Sequence, residues 1–245
     1  MSTSDSHVPA PLSTAKRPRN PEEWIRRPLT RSRARSLAYR PGVEFFDLAD
    51  PIVAEKRTLL GYDRLYVFWQ SIRNVVDVPG HVVEVGTYRG GSALFIAQAV
   101  IAITGGEVPM HVFDTFEGHP AGALTEHDEF HTAGQFDRTS YEDVKALLAP
   151  FTQLEVHKGD VATQLPGLAD AVYRLVHIDT DLHQPTLLCL EYFGRRMSTG
   201  GVVIIDDYGS KKCPGVPKAV VEYLKDTDAF QAWDMRTEQL MLVKR

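Results

Sequence analysis

The 245-residue sequence lacks the marks of several large protein classes. No apolar run approaches 18 residues, so no candidate transmembrane helix is present, and residues 1–20 lack the apolar core of a secretory signal. The two cysteines, Cys189 and Cys213, form no CxxC pair, which argues against a disulfide framework or a cysteine-rich zinc site. With 43% apolar and 24% charged residues, the composition predicts a cytoplasmic globular protein with no membrane partner.

Charge is distributed unevenly along the chain. Residues 1–40 contain nine Lys or Arg and three acids, a net charge of +6, so the remainder carries −11. A basic segment can bind nucleic acid, but the aromatic residues here, Trp24 and Tyr39, lie only at its edges, which does not favour base stacking. We expect residues 1–20 to be a disordered tail. Residues 21–54 are expected to be a basic arm exposed to solvent or packed on an acidic partner subunit.

From residue 55 onward, apolar periodicity predicts alternating strands and helices. An amphipathic helix is predicted in "LLGYDRLYVFWQSIRNVVD". Five strands ("HVVEV", "MHVFD", "QLEVH", "YRLVHID", "GVVIID") alternate with four helical segments ("SALFIAQAVIAI", one opening at "TSYE", "PTLLCLEYFGRRM", "PKAVVEYLKD"), before a terminal strand pair in "QAWDM" and "LMLVK". This order predicts one α/β domain over residues 55–245, with a mostly parallel sheet flanked by helices.

An acidic residue lies in or directly after each core strand. The set consists of Glu84, Asp114, Asp160, Asp179, Asp181, Asp206 and Asp207. Ligands of parallel sheets bind beyond the carboxyl ends of the strands, where these side chains should gather. Two unit charges 4 Å apart repel by about 4 kcal/mol at an effective dielectric of 20. The sequence therefore predicts a positively charged ligand at this edge of the sheet.

The segment "EVGTYRGGS" (84–92) follows the first strand and opens the next helix. Such a glycine-rich turn brings backbone N–H groups close to a ligand. It is not the GxGxxG dinucleotide motif, because Tyr88 stands where the second glycine is needed, and no Gly-Lys-Ser/Thr phosphate loop is present.

Asp179, Asp206 and Asp207 follow two strands that should be neighbours. Three carboxylates without cysteine suit Mg²⁺ or Mn²⁺ better than zinc. Side chains of adjacent residues point oppositely within a strand, so Asp206 and Asp207 can share one ion only if the strand ends between them. In the alternative, Asp207 caps a turn and Asp206 alone binds.

The connection 116–138 is too long for a plain loop and predicts a lid. Its "HDEFH" places His127 and His131 four residues apart, but without the glutamate of HExxH, so acceptor or lid contacts are favoured over zinc. His119 and Tyr88 flank the predicted edge and are candidates to line an acceptor pocket.

The ExGxxxGG pattern resembles the first motif of class I S-adenosylmethionine-dependent methyltransferases. The resemblance implies a Rossmann-like fold with a seven-stranded sheet and an antiparallel C-terminal strand. Glu84 would then favour the cofactor's ammonium, directly or through water, and Asp114 its ribose hydroxyls. The other implied cofactor contacts are Gly86, Thr87, Tyr88, Gly90, Ser92, Gly159, Asp160 and Asp179.

Five segments in order ("EVGTYRGGS", "VFDTFEGHP", "HIDTDLHQPT", "GGVVIIDDYG", "CPGVPKAV") resemble the macrocin O-methyltransferase family over residues 55 to 243. The family methylates sugar hydroxyls in antibiotic biosynthesis with Mg²⁺. Carried over, its metal ligands fall on Asp179, Asp206 and Asp207, and its general base on Asp181. His183 is a rival base, because "TDLHQPT" departs from the usual family pattern. Relatives associate as dimers or larger, so a homo-oligomer is expected.

Three alternatives stay open: one concerns the acceptor, and two concern methyl transfer itself. A phenol or catechol acceptor is also compatible with Mg²⁺. A nicotinamide-dependent oxidoreductase would use the same sheet and Asp114. A non-catalytic protein would retain the cofactor site and act through its basic arm.

Overall fold

The computed structural model describes residues 44–245. The predicted tail, and the part of the predicted arm up to residue 43, lie outside the described residues. No helix in the described range is long and apolar enough to cross a membrane.

The folded unit begins before residue 55. Helix α1 spans Glu44–Ala54, and its side chains Phe45, Phe46 and Ile52 are buried in the larger of two core clusters. The end of the predicted arm is therefore a packed helix, and the domain includes these eleven residues. Pro51 inside the helix makes the local sequence a poor helix former, so packing rather than propensity holds it.

The remaining elements follow the predicted alternation. The helices are α2 (Tyr62–Asn74), α3 (Gly91–Thr104), α4 (Tyr141–Leu148), α5 (Val161–Gln164), α6 (His183–Gly194) and α7 (Gly215–Lys225). The strands are β1 (His81–Val85), β2 (Met110–Asp114), β3 (Leu154–Lys158), β4 (Tyr173–Ile178), β5 (Met197–Ile205), β6 (Phe230–Asp234) and β7 (Leu240–Lys244). Short 3₁₀ turns occupy Ala121–Ala123 and Leu165–Gly167.

The seven strands form one sheet in the order β3-β2-β1-β4-β5-β7-β6. The first five are parallel, and β7 runs antiparallel between β5 and β6. Apolar side chains are buried on both faces, in one cluster with α1, α2 and α3 and another with α6 and α7. This architecture confirms the predicted class I methyltransferase fold.

Local signals account for several element ends. The helix predicted to open at "TSYE" is α4, whose N-cap is Ser140; its hydroxyl accepts a hydrogen bond from Asp143 N–H. The short helix α5 was not predicted; Asp160 caps it by accepting from Ala162 N–H. The loop 116–138 is packed rather than open, because Phe116, Ala123 and Asp128 within it are buried.

Candidate active site

A cavity opens beyond the carboxyl ends of the parallel strands. It contains about 1090 Å³ of space, part of it open to solvent. Eleven of the fourteen predicted site residues line it: Gly86, Thr87, Tyr88, Ser92, Asp114, Gly159, Asp160, Asp179, Asp181, Asp206 and Asp207. Glu84, Gly90 and His183 do not line it. The glycine-rich turn and the acidic residues therefore face one shared space.

Gly86 allows β1 and β4 to end side by side. Its φ is +87°, and a Cβ atom there would lie 1.8 Å from the carbonyl oxygen of Asp179. Gly86 N–H donates to Phe113, while Asp179 N–H donates to Val85, both at 2.8 Å. The first glycine of the motif, Gly86, thus lets the ends of β1 and β4 lie in close contact. This contact places Asp179 at the cavity.

Asp114 holds the glycine-rich turn in place. One carboxylate oxygen accepts hydrogen bonds from the N–H groups of Thr87 (2.9 Å) and Tyr88 (2.8 Å), and the other accepts from Phe116 N–H at 2.7 Å. Burial raises the pKa of Asp114, while these three bonds oppose that rise. Asp114 also lines the cavity, so its expected ribose contact is compatible with this structural task.

Glu84 lies behind the cavity wall, which excludes the direct ammonium contact predicted for it in this conformation. The residue is fully buried, and Oε1 lies 3.0 Å from Nδ1 of the equally buried His177. The His177 ring packs against the edge of Phe68. Alternation along β1 explains the orientation, because Glu84 points to the opposite face from Val83 and Val85.

Gly90 also has a structural task. It is the N-cap of α3 with a φ of +77°, and a Cβ atom there would lie 3.1 Å from Val144 and 3.2 Å from Leu147 of α4. It therefore permits close helix packing and does not contact the cavity.

The acidic cluster differs in membership from the predicted metal triad. Ligand oxygens of Asp179, Asp181 and Asp207 all lie within 4.8 Å of one another, whereas Asp206 groups with Asp179 and His177. Strand β5 ends at Ile205, before both aspartates and not between them. Asp181 and Asp207 have positive φ values of 60° and 55°, a conformation that Asp tolerates better than most residues and that concentrates at functional sites.

Arg64 of α2 lies against this cluster and was not predicted. Its guanidinium contacts Asp206, lies 3.1 Å from Asp207 Oδ1, and reaches Glu238 at 3.1 Å. Its Nε donates to the carbonyl of Thr237 at 3.0 Å. Although burial works against the charge, the neighbouring aspartates raise the pKa of Arg64 above its usual value. A cation of the chain itself thus compensates part of the negative charge.

One arginine does not neutralise four carboxyl groups. Burial, followed by the charge of Asp207, raises the pKa of Asp181 to about 8. Burial likewise raises the pKa of Asp206 to about 6, with Arg64 opposing the rise. The pKa of Asp179 is well above its usual range because of burial, Asp206 and Asp181. The cluster therefore favours any further cation that replaces bound protons.

The residues present fit a hard divalent cation. The donors are carboxylate oxygens, the type that Mg²⁺ and Mn²⁺ prefer. In addition, Oδ1 of Asp206 is buried and has no hydrogen-bond partner among residues 44–245. Asp179, Asp181 and Asp207 could hold the ion together, with Asp206 beside them.

The two predicted bases are placed differently. Asp181 lines the cavity, but His183 lies outside it. The backbone N–H of His183 donates to Asp128 at 2.9 Å, and its imidazole lies 3.2 Å from Glu222. Helix α6 begins at His183, whose ring faces Glu222 of α7 rather than the cavity.

His119 lines the cavity beside Asp181. Its Nε2 is 3.8 Å from Asp181 Oδ2 and 3.2 Å from Nδ1 of His131. Cys213 also lies beside Asp181, with its Sγ atom 3.5 Å from Asp181 Oδ1.

The two loop histidines of "HDEFH" do not face one another. His127 Nδ1 lies 3.0 Å from the Lys218 ammonium, whereas His131 Nε2 lies 2.9 Å from the carbonyl of Lys212. Among the described residues, no metal-capable group contains both. The loop packs onto the cavity wall instead, where Gln135 and Phe136 line it. Leu59, 69% exposed, also lines the cavity.

Known proteins resemble this chain in sequence. The rhamnosyl-tetracenomycin-C 4'-O-methyltransferase of Streptomyces olivaceus is 30% identical over 167 residues, which cover 64% of each chain. The chain thus spans just under two thirds of that relative. Demethyldecarbamoylnovobiocin O-methyltransferase of Streptomyces niveus is 28% identical over 181 residues, covering 69% of this chain and 68% of that protein.

The fold and the family agree with these relatives. The structure of the O-methyltransferase NovP superposes with a TM-score of 0.68 at 25% identity, covering 77% of this chain and 82% of that one. The profile of the macrocin O-methyltransferase (TylF) family matches residues 46–234, which confirms the resemblance found in the sequence. The chain belongs to the macrocin O-methyltransferase family.

Proposed function

We propose that the protein transfers the methyl group of S-adenosylmethionine to a hydroxyl group of a sugar or glycosylated small molecule, with a divalent cation bound at the acidic cluster. One observation carries this proposal: the cofactor-type glycine turn and the carboxylate cluster line the same cavity. The two relatives described above, named for methylating a rhamnosyl-tetracenomycin and a novobiocin precursor, support the acceptor class.

The cofactor is assigned to the side of the cavity formed by the turn 86–92, Asp114 and Gly159-Asp160. The backbone of Gly86 and Thr87 would contact the amino-acid part of the cofactor, and Asp114 would accept hydrogen bonds from its ribose hydroxyls. Glu84 would act only at a distance, by holding His177 beneath the strand ends. Gly90 and Ser92 would position the turn and the start of α3.

The cation is assigned to Asp179 and Asp207, with Asp206 as a further ligand or partner of Arg64, so that Asp181 keeps its carboxylate available for a proton. Bound there, Mg²⁺ or Mn²⁺ would stabilise negative charge developing on the acceptor oxygen. Asp181 is assigned as the base that takes the hydroxyl proton, since it lines the cavity where His183 does not. His119, 3.8 Å from Asp181, orients or assists that carboxylate.

Methyl transfer also requires the acceptor oxygen and the sulfonium carbon to be held in line while water is kept out. Phe136 from the loop 116–138 and Leu59 from the α1–α2 connection line the cavity and are partly exposed to solvent. These apolar walls suit the carbon skeleton of a glycosylated product. They support a lid role for the loop.

The test is transfer of labelled methyl from S-adenosylmethionine to a panel of rhamnosides and aminocoumarin glycosides, with catechol as comparison. Turnover of a sugar hydroxyl that stops in EDTA and returns with Mg²⁺ supports the proposal. Asp181→Asn should lower kcat by roughly 10² or more, whereas His183→Gln should leave it within a few-fold. Full activity in EDTA refutes the cation role, and turnover of catechol alone refutes the acceptor class. Light scattering of the same preparation tests the expected homo-oligomer.

A further inference from the structure

A second group of metal-ligating side chains lies away from the cavity, on strands β2 and β3. His111 is three residues before the end of β2 at Asp114, and Glu155 and His157 lie on the edge strand β3. In the register, His111 pairs with Glu155 and Phe113 with His157, so the three side chains share one face. None of them lines the cavity, and the proposed methyl transfer does not use them.

The three ligand atoms form a nearly regular triangle. His111 Nδ1 and His157 Nε2 are 3.2 Å apart, and the Glu155 Oε2 atom lies 3.8 Å from the first and 3.7 Å from the second. A point inside this triangle is about 2.1 Å from all three atoms, the bond length of zinc to imidazole nitrogen and carboxylate oxygen. The side chains need little movement to bind such an ion.

The surroundings hold both imidazole rings in place. The His157 ring stacks on Phe113 with centroids 4.4 Å apart and planes 11° from parallel. The other nitrogen of His111, Nε2, lies 3.1 Å from Nδ1 of His81 on β1. A hydrogen bond from His111 to His81 would leave Nδ1 of His111 free to bind a metal, an outer partnership typical of metal-binding histidines.

We propose that His111, Glu155 and His157 bind a zinc-type dication, with solvent at the fourth position, and that this ion clips the edge strand β3 to β2. Two imidazoles and one carboxylate form a ligand set that favours zinc and its transition-metal neighbours over Mg²⁺. The site is therefore chemically distinct from the all-carboxylate cluster at the cavity. An ion bridging β2 and β3 would stabilise an edge strand of which Glu155 and Lys158 are solvent-exposed.

The test is equilibrium dialysis of the full-length chain against Zn²⁺ with millimolar Mg²⁺ present to occupy the acidic cluster. Parent protein, His157→Gln and Glu155→Gln are compared with His127→Gln, a histidine of the loop outside both sites. We expect one Zn²⁺ per chain in the parent and in His127→Gln. His157→Gln should bind that ion roughly tenfold more weakly or worse, with Glu155→Gln also weakened.

Two further readouts separate loss of a ligand from loss of the fold. Zn²⁺ should raise the Tm of the parent but not of His157→Gln, while the Tm values in EDTA stay close. Glu155 is 70% exposed, so its substitution removes a ligand without disturbing the core. Co²⁺ should give the visible absorption of a tetrahedral site in the parent alone. Equal Zn²⁺ binding by the parent and both ligand variants, or no binding by the parent, overturns the proposal.

Discussion

Replacing Arg64 by Met removes a cationic side chain that contacts both Asp206 and Asp207. At the 3.1 Å separation from Asp207, a single charge pair is worth about 5 kcal/mol at an effective dielectric of 20. Part of this is offset by the desolvation of Arg64. Breaking a buried pair from one side typically costs about 3–5 kcal/mol, because the remaining charge is left unpaired. We therefore expect Arg64→Met to lower the free energy of unfolding by about 3–5 kcal/mol in EDTA.

Mg²⁺ should reverse much of that loss, since a bound dication replaces the missing positive charge. At a concentration 100 times its Kd, a ligand specific for the folded state adds about 2.7 kcal/mol. The gain on adding Mg²⁺ should be larger in Arg64→Met than in the parent, because the guanidinium no longer competes for the carboxylates. Urea denaturation followed by circular dichroism, with EDTA or Mg²⁺, measures both quantities.

Two variants control the comparison. Arg73→Met alters an exposed arginine of the same helix and should change stability by no more than about 0.5 kcal/mol. Arg64→Met/Asp206→Asn removes both charges and should be more stable in EDTA than Arg64→Met alone. If Arg64→Met keeps the parent's stability, or its stability does not respond to Mg²⁺, the reasoning about charge in the cluster is refuted.

Three further predictions concern other parts of the site. The folded state raises the pKa of Asp181 from its ordinary 3.8 to about 8. The contribution of Asp181 to the free energy of unfolding is therefore complete below pH 4 and is lost as the pH rises through 8. Urea titrations in EDTA should show this decline in stability, and Asp181→Asn should flatten the decline. Glu84→Ala leaves the buried His177 Nδ1 without its hydrogen-bond partner and should cost about 1–3 kcal/mol in the same assay; an unchanged transition would contradict a structural role. Phe136→Ala should raise the KM for the acceptor several-fold with a smaller change in kcat. An unchanged KM would show that the Phe136 ring does not contact the acceptor.

Periodicity and topology rules predicted most of the fold. The alternation of apolar strands with helices predicted the mostly parallel sheet and the terminal strand pair, whereas the antiparallel C-terminal strand was implied by the resemblance to methyltransferases. Helix α1 was not predicted because Pro51 disfavours a helix locally, while its stabilising contacts come from other segments, α2 and α3. Such packing has no signal within the segment itself.

The candidate site was predictable where strand ends alone determine position. Asp114, Asp179 and Asp207 reach the cavity for that reason. Strand alternation also decides the orientation of Glu84, so its burial opposite Val83 and Val85 could have been anticipated. Arg64 could not be, because it lies 142 residues from Asp206 in sequence; only the excess of acid in the cluster signalled that a cation was needed. The turn of His183 away from the cavity depends equally on a remote partner, Asp128.

The central claim is that this cavity binds S-adenosylmethionine beside the acidic cluster. The most direct measurement is calorimetric titration of the protein with S-adenosylhomocysteine in the presence of Mg²⁺. We expect the protein to bind S-adenosylhomocysteine with micromolar affinity at one site per chain, and Asp114→Ala to lose this binding. Asp137→Ala, which alters an exposed acid of the loop 116–138, should keep it. Absence of binding by protein that circular dichroism shows to be folded would contradict the account.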